Sequence, residues 1–326
     1  MGAVELAEGV RSADKASVSR ALNLIENRRA DVAEQVGELL AALDEPATRI
    51  RGHRVGLTGP PGVGKSSLVA VLARQLRSEG ATVGVVAVDP SSVLSGGALL
   101  GDRARMGFDP NDDGLFVRSL ATAGAFGGLA HAAHAAVEVL GAAYDVVLVE
   151  TTGVGQTETE VVNVADTVAL VVQPGSGDVL QFLKAGVMEI PDVLVVNKAD
   201  HGATATRAAS DLKAALGQLQ TVGAGSGEQP VLLTSARDRK GIPELSAALA
   251  ERRVALGDDG VRQAREAGRV EWALGTFTRR FGSYAVEQLG GEAAVRSEVE
   301  GALGKGGEPV SVAATLGARF LQSLQN

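Results

Sequence analysis

The residues with the most specific chemistry are Gly59, Pro60, Pro61, Gly62, Val63, Gly64, Lys65 and Ser66, a GxxxxGK[ST] run. A polyphosphate must be wrapped by backbone N–H groups, so the chain needs positions without side chains where it approaches the oxygens. The glycines supply that room, and Pro60 and Pro61 stiffen the approach. Lys65 adds a charge near the β and γ groups, and the Ser66 hydroxyl is a Mg²⁺ ligand of the expected kind, with Ser67 following on the helix.

Further along the chain, residues of matching chemistry end successive apolar runs. Asp89 follows one such run, Asp102 lies in the Gly-rich stretch after it, and Glu150 ends the run Asp145 to Val149 in a Walker B arrangement. Mg²⁺ prefers waters, phosphate oxygens and one or two carboxylates, so Ser66, Asp89, Asp102 and Glu150 are the candidate metal ligands; for Asp89 and Asp102 the alternative is a loop cap or turn former. Arg105 is a candidate for stabilising charge on the transferred phosphoryl group, Gly153 for turning its N–H toward a γ-phosphate, and Gln156 for orienting the attacking water. Arg105 and Gln156 are equally readable as solvated loop residues.

Asn197, Lys198 and Asp200 form an NKxD pattern. Asp200 would accept two hydrogen bonds from guanine N1–H and its 2-amino group, where adenine offers a bare lone pair; that implies tenfold to hundredfold discrimination. Asn197 would contact the other purine edge, and Lys198 would lay its stem over the base plane. Thr234, Ser235 and Ala236 would supply the backbone N–H for guanine O6. The expected ligands are therefore GTP or GDP with Mg²⁺, and the expected activity is GTP hydrolysis, with Lys65, Arg105, Glu150 and Gln156 as the catalytic candidates.

These residues must be positioned by strands and helices in alternation. Strand-like runs span Arg54 to Thr58, Thr82 to Val88, Leu115 to Arg118, Asp145 to Val149, Thr167 to Val172, Val193 to Val196 and Val231 to Leu233. Helical segments between them imply right-handed βαβ crossovers, an α/β fold and a mostly parallel sheet with the ligand at the carboxyl ends of the strands. Ala13 to Leu43 predicts two antiparallel helices broken near Arg29 and Ala30 and ended by Pro46. After Ala255 only helices are expected, in a tail too short for a sizeable core of its own, packed on the nucleotide domain or on a second copy as a dimerisation arm. The expected organisation is a helical extension over 1–50, a P-loop domain over 51–255 and a helical region over 256–326. Thr221 to Glu228 predicts a flexible surface loop, and Trp272 an anchor of the tail.

Composition narrows the function classes. The 326 residues carry a net charge of −8 with dispersed positive charges, which argues against nucleic acid or an anionic membrane as partner. The absence of cysteine excludes disulfides and thiolate chemistry. Glu5 and Glu8 stand where a secretory leader would be basic, and no apolar run is long enough to span a bilayer, so a cytoplasmic protein is expected. His131 and His134 stand three apart without a third ligand at metal-site spacing, so a packed or solvated face is the simpler reading.

The whole series resembles the methylmalonyl-CoA mutase-associated GTPases of the MeaB kind, a branch of the SIMIBI P-loop GTPases. It rests on Gly59 to Ser66, Asp89 to Ser92, Gly96 to Met106, Arg118 to Ala130, Glu150 to Gln156, Gln173 to Lys184 and Asn197 to Asp200. The resemblance implies a homodimeric GTPase chaperone of an adenosylcobalamin-dependent acyl-CoA mutase that gates cofactor loading and protects the mutase. It also implies that Asp178 to Lys184 forms a third switch, although a plain βα connection reads almost as well from the residues. Thr152 and Ala123 depart from the family pattern, where Val and Arg are expected. A transport-system kinase and a nickel-enzyme metal-insertion GTPase are the alternatives; NKxD counts against the first, and the lack of Cys and of a His-rich run against the second.

Overall fold

The computed structural model describes residues 2–27, 29, 32–89, 107–109, 111–121, 131–151, 160–175, 191–221 and 229–324. Seven parallel strands form one sheet: β1 (His53–Thr58), β2 (Val83–Asp89), β3 (Leu115–Ala121), β4 (Val146–Glu150), β5 (Thr167–Val172), β6 (Val193–Val196) and β7 (Val231–Leu233). Their spatial order is β3-β2-β4-β1-β5-β6-β7. The expected strands all form, within a few residues of their predicted ends. They are Val/Leu-rich without polar alternation because both faces of the sheet are covered.

On one face lie α5 (Lys65–Ser78) and the start of α8 (Ile242–Gln288), sharing a core with Val55, Leu57, Val85 and Leu148. On the other lie α6 (His131–Ala143) and the N-terminal helices α1 (Ala3–Arg11), α2 (Lys15–Glu26) and α3 (Ala33–Leu43). α7 (Ala203–Thr221) packs Leu212 and Leu216 on β5 and β6. β1 sits at the centre, between β4 and β5, so consecutive connections leave it in opposite directions and a crevice opens at its carboxyl end.

Three features differ from the sequence expectation. α1 precedes the two anticipated helices and buries Leu6, Ala7 and Val10 against them. α3 does stop at Leu43, ahead of Pro46, but Pro46 also opens a short helix, α4 (Pro46–Arg49), where the missing N–H is tolerated in the first turn and Glu45 and Thr48 form a capping box. The C-terminal region has a small core of its own: Phe277 of α8, Val295 and Val299 of α9 (Glu292–Gly304), and Leu316 and Phe320 of α10 (Pro309–Ser323). α10 also packs on α3, so the two terminal regions meet. The expected loop of 221–228 lies outside the described residues apart from Thr221.

Candidate nucleotide-binding site

β1 runs fully buried from Arg54 and ends at Thr58, and the chain then turns through Gly59 to Gly64 into α5. Two of these glycines are obligatory. Gly59 has φ 139° and a Cβ there would lie 2.0 Å from the Val171 carbonyl oxygen; Gly64 has φ 93° and its Cβ would lie 2.7 Å from Asn197 Nδ2. Gly64 is also the N-cap of α5, a residue without a side chain to accept from the amides of the first turn. Those amides and the positive end of the helix are therefore directed toward an anion.

Lys65 is buried, and its Nζ donates to the carbonyl oxygens of Gly59 at 2.7 Å and Pro60 at 3.0 Å. An ammonium held by its own loop over an amide-lined cradle can exchange those neutral acceptors for phosphate oxygens. Ser66 Oγ donates to Glu150 Oε1 at 2.6 Å, which brings together two of the four expected metal ligands. Glu150 is buried at the carboxyl end of β4, beside β2, where Ala87 pairs with Glu150 and Asp89 ends the strand. A hard oxygen set of hydroxyl and carboxylate at a phosphate cradle fits Mg²⁺. Asp102, Arg105, Gly153 and Gln156 lie outside the described residues, as do Thr152, Ala123 and Asp178 to Lys184.

The base-reading candidates converge on the same loop. Lys198 adopts a left-handed backbone conformation, φ 62°, uncommon for a residue with a side chain and often found where geometry is set for a ligand. Its Nζ donates to Gly62 O at 2.7 Å and to Gln173 Oε1 at 2.5 Å. Asn197 is buried, and its Nδ2 donates to Val63 O at 2.9 Å while its Oδ1 accepts from Ala236 N and from Thr234 Oγ1, each at 3.3 Å. The residue expected at the far purine edge is thus first of all a tie between the phosphate loop and the loop after β7. Ser235 Oγ donates to Asp200 Oδ1 at 2.8 Å, and this bond, ahead of any other influence, holds the Asp200 carboxyl below the usual carboxylate range. Asp200 is therefore an anion at neutral pH, the form that accepts from two N–H groups.

Three side chains in stretches the sequence had singled out take roles it did not assign. Gln173 accepts from Lys198. Thr58 and Thr151 pair their hydroxyls at 3.1 Å and so join the ends of β1 and β4. Thr234, expected only as backbone, donates its hydroxyl to Asn197. Only adjacency to the motifs signalled them; their partners lie on other strands.

Elsewhere, the His131/His134 pair builds no metal centre among the described residues, where no group of three or more potential ligand side chains gathers. The His134 ring instead stacks on Trp272, with centroids 5.3 Å apart and planes 16° apart. Among the described residues no helix is long and apolar enough to cross a membrane.

The comparisons with known proteins converge with this geometry. Residues 18–282 match the family model described as methylmalonyl Co-A mutase-associated GTPase MeaB. A protein of Pyrococcus abyssi described as a GTPase is 43% identical over 275 residues, covering 84% of this chain and 83% of its own. GTPase ArgK of Escherichia coli is 36% identical over 274 residues, covering 82% of each chain, and the mitochondrial methylmalonic aciduria type A homolog of Caenorhabditis elegans is 33% identical over 279 residues, covering 80% and 68%. The solved structure of an LAO/AO transport system kinase superposes over 98% of this chain and 97% of its own, with a TM-score of 0.66 and 27% identity. By sequence and fold together, the chain belongs to the methylmalonyl-CoA mutase-associated GTPase family and is a GTPase of the MeaB/ArgK type.

Proposed function

We propose that the protein is a GTP-driven, Mg²⁺-dependent chaperone of an adenosylcobalamin-dependent acyl-CoA mutase, gating cofactor loading and protecting the mutase. The observation that carries the nucleotide part is the set of bonds by which Lys198 and Asn197 grip the carbonyls of Gly62 and Val63. These bonds join the base loop to the phosphate loop, so purine recognition and triphosphate placement are set by one rigid unit. The mutase part is supported by the family's description and by the Caenorhabditis elegans relative named for methylmalonic aciduria.

In this reading Asp200 selects guanine and Lys65 moves from the carbonyls of Gly59 and Pro60 to phosphate oxygens, neutralising charge as the γ-phosphoryl group leaves. Ser66 and Glu150, with Asp89 and Asp102, would hold Mg²⁺, which supplies charge neutralisation at the phosphates when bound. Arg105 and Gln156 would serve the charge on the phosphoryl group and the attacking water, and the Gly153 amide would face the γ-phosphate. The C-terminal helices would pair two copies as a homodimer in the cytoplasm, with residues 1–50 and 256–326 flanking the P-loop domain.

A kinase reading, which the name of the superposed structure carries, needs a phosphoryl acceptor other than water. One assay separates the readings: phosphate release from GTP, with ATP as control, by the purified protein alone and with such a mutase. Stimulation specific to GTP is the expected result. Hydrolysis that ignores the mutase would remove the chaperone role, and transfer of label to another acceptor would replace it with a kinase.

A further inference from the structure

The short turn Val161–Asn163 lies between the carboxylate strand β4 and β5, and it is gripped from two sides through glycines. On one side a Cβ on Gly56 of β1, just before the phosphate loop, would lie 2.4 Å from Val161 Cγ2. On the other a Cβ on Gly268 of α8 would lie 2.2 Å from the Asn163 carbonyl oxygen. On the β1 side only the Val161 side chain intervenes and on the α8 side none does, so β1, the turn and α8 are stacked in close contact. Residues that follow fasten the same segment. Asp166 accepts from the Arg54 amide at 2.9 Å and, through both oxygens, from the Arg265 guanidinium at 2.8 and 2.5 Å.

α8 is divided by two breaks around this place. Its backbone leaves helical geometry at Gly257 (φ 64°, ψ 176°) and again at Gly282 (φ 80°, ψ 174°). Between those two breaks lie Arg265, which grips Asp166, Gly268, which receives the Asn163 carbonyl, and Ala273 and Phe277, which belong to the C-terminal core. Arg265 also donates to the carbonyls of Arg49, Arg51 and Gly52, which makes it the fixed point.

We propose that the turn Val161–Asn163, acting on Gly268, transmits nucleotide state from the site to the C-terminal helices by tilting the 258–281 segment of α8 about Arg265. The reasoning is mechanical: a carbonyl seated where a side chain would be leaves no compressible atoms, so displacement of the turn displaces the helix. The proposal rests on the GTPase assignment, since it requires two nucleotide states.

Trp272 makes it testable. It is the single tryptophan, is 2% exposed, and lines the same small cavity as Asn163, Val164, Gly268 and His134. Its emission is to be compared at saturating GDP and at saturating guanosine 5′-(β,γ-imido)triphosphate, with affinities for both measured separately. The expected result is a difference between the two states in the native protein that falls by at least half in Gly268→Ala and in Val161→Ala, with affinities unchanged within about twofold. Gly260→Ala, on the same segment but facing only Leu256, should keep the full difference. The proposal is overturned by identical emission in the two states, by variants that keep the full difference, or by a control that loses it. Should Gly268→Ala fail to fold, Val161→Ala decides alone. Failure to bind either nucleotide would instead strike the GTPase assignment.

Discussion

At the carboxyl ends of the strands the buried cation Lys65 is held by two carbonyls of its own loop. At the amino ends the buried cation Arg265 is held by both oxygens of Asp166 and by three carbonyls from the segment leading into β1. Beside it Arg54 pairs both guanidinium nitrogens with Glu138 of α6, at 3.1 and 2.7 Å. Burial opposes the charge on Glu138, yet the facing Arg54 outweighs it and holds the Glu138 carboxyl down at about 2. The two carbonyls that hold the first cation are neutral and exchangeable, which suits it to receive an anion. The second is compensated by a full opposite charge and fixed carbonyls, and is suited to fasten α8 under the sheet. Burial of a charge thus marks function at one end and architecture at the other; the identity of the acceptors tells them apart.

Removing each cation should break the comparison in a different currency. Lys65→Ala is expected to abolish triphosphate binding by titration calorimetry while leaving the urea midpoint close to the native value; unchanged nucleotide affinity would sink the phosphate-loop assignment. Arg265→Ala leaves Asp166 buried without its guanidinium and should cost about 3–5 kcal/mol of stability, read as a lower urea midpoint, with nucleotide affinity retained by whatever fraction stays folded. Equal effects of the two changes on both measurements would erase the distinction.

A smaller effect sharpens it at the joint of the terminal regions. Glu308 caps α10, its Oε2 accepting from Val310 N at 2.9 Å, while Oε1 is buried with no hydrogen-bond partner. Burial raises its pKa to about 7, against the opposing pull of Arg269 and the backbone amides of Val310 and Ser311, with Glu138 adding to the rise. The unfolded carboxyl releases its proton near 4.5, the folded one near 7, so the folded chain binds more protons between those values. Stability is therefore fullest below pH 4.5 on this account and declines as pH rises to 7, by at most about 3 kcal/mol. Glu308→Gln should flatten that part of the profile in denaturation measured from pH 4.5 to 8; an unchanged slope would show that Arg269 neutralises the charge in full.

The legible and illegible parts of the molecule follow from the range of the interactions. The phosphate loop, Glu150 at the end of β4 and the NKxD run are short-range patterns, because a backbone cradle, a strand terminus and a base-reading turn are each made by a few consecutive residues. The strands were readable for the same reason, since a parallel sheet covered on both faces requires uninterrupted apolar runs. The short helix that Pro46 opens after the end of α3 was not legible, because a proline's place at a helix start depends on the flanking Glu45 and Thr48. The coupling of Asn197 and Lys198 to the carbonyls of Val63 and Gly62 joins positions far apart in the chain, and no local spacing announces it.

By itself the sequence determined the fold class, the phosphate cradle and the GTPase family, since each rests on residue types at short fixed intervals. Only the tertiary structure decided that Arg265 and Asp166 are a fastening rather than a site, that α8 bends at Gly257 and Gly282, and that Gly268 receives the Asn163 carbonyl. Those are contacts between distant segments, and the packing of whole elements, not the pattern within any one of them, brings the atoms together.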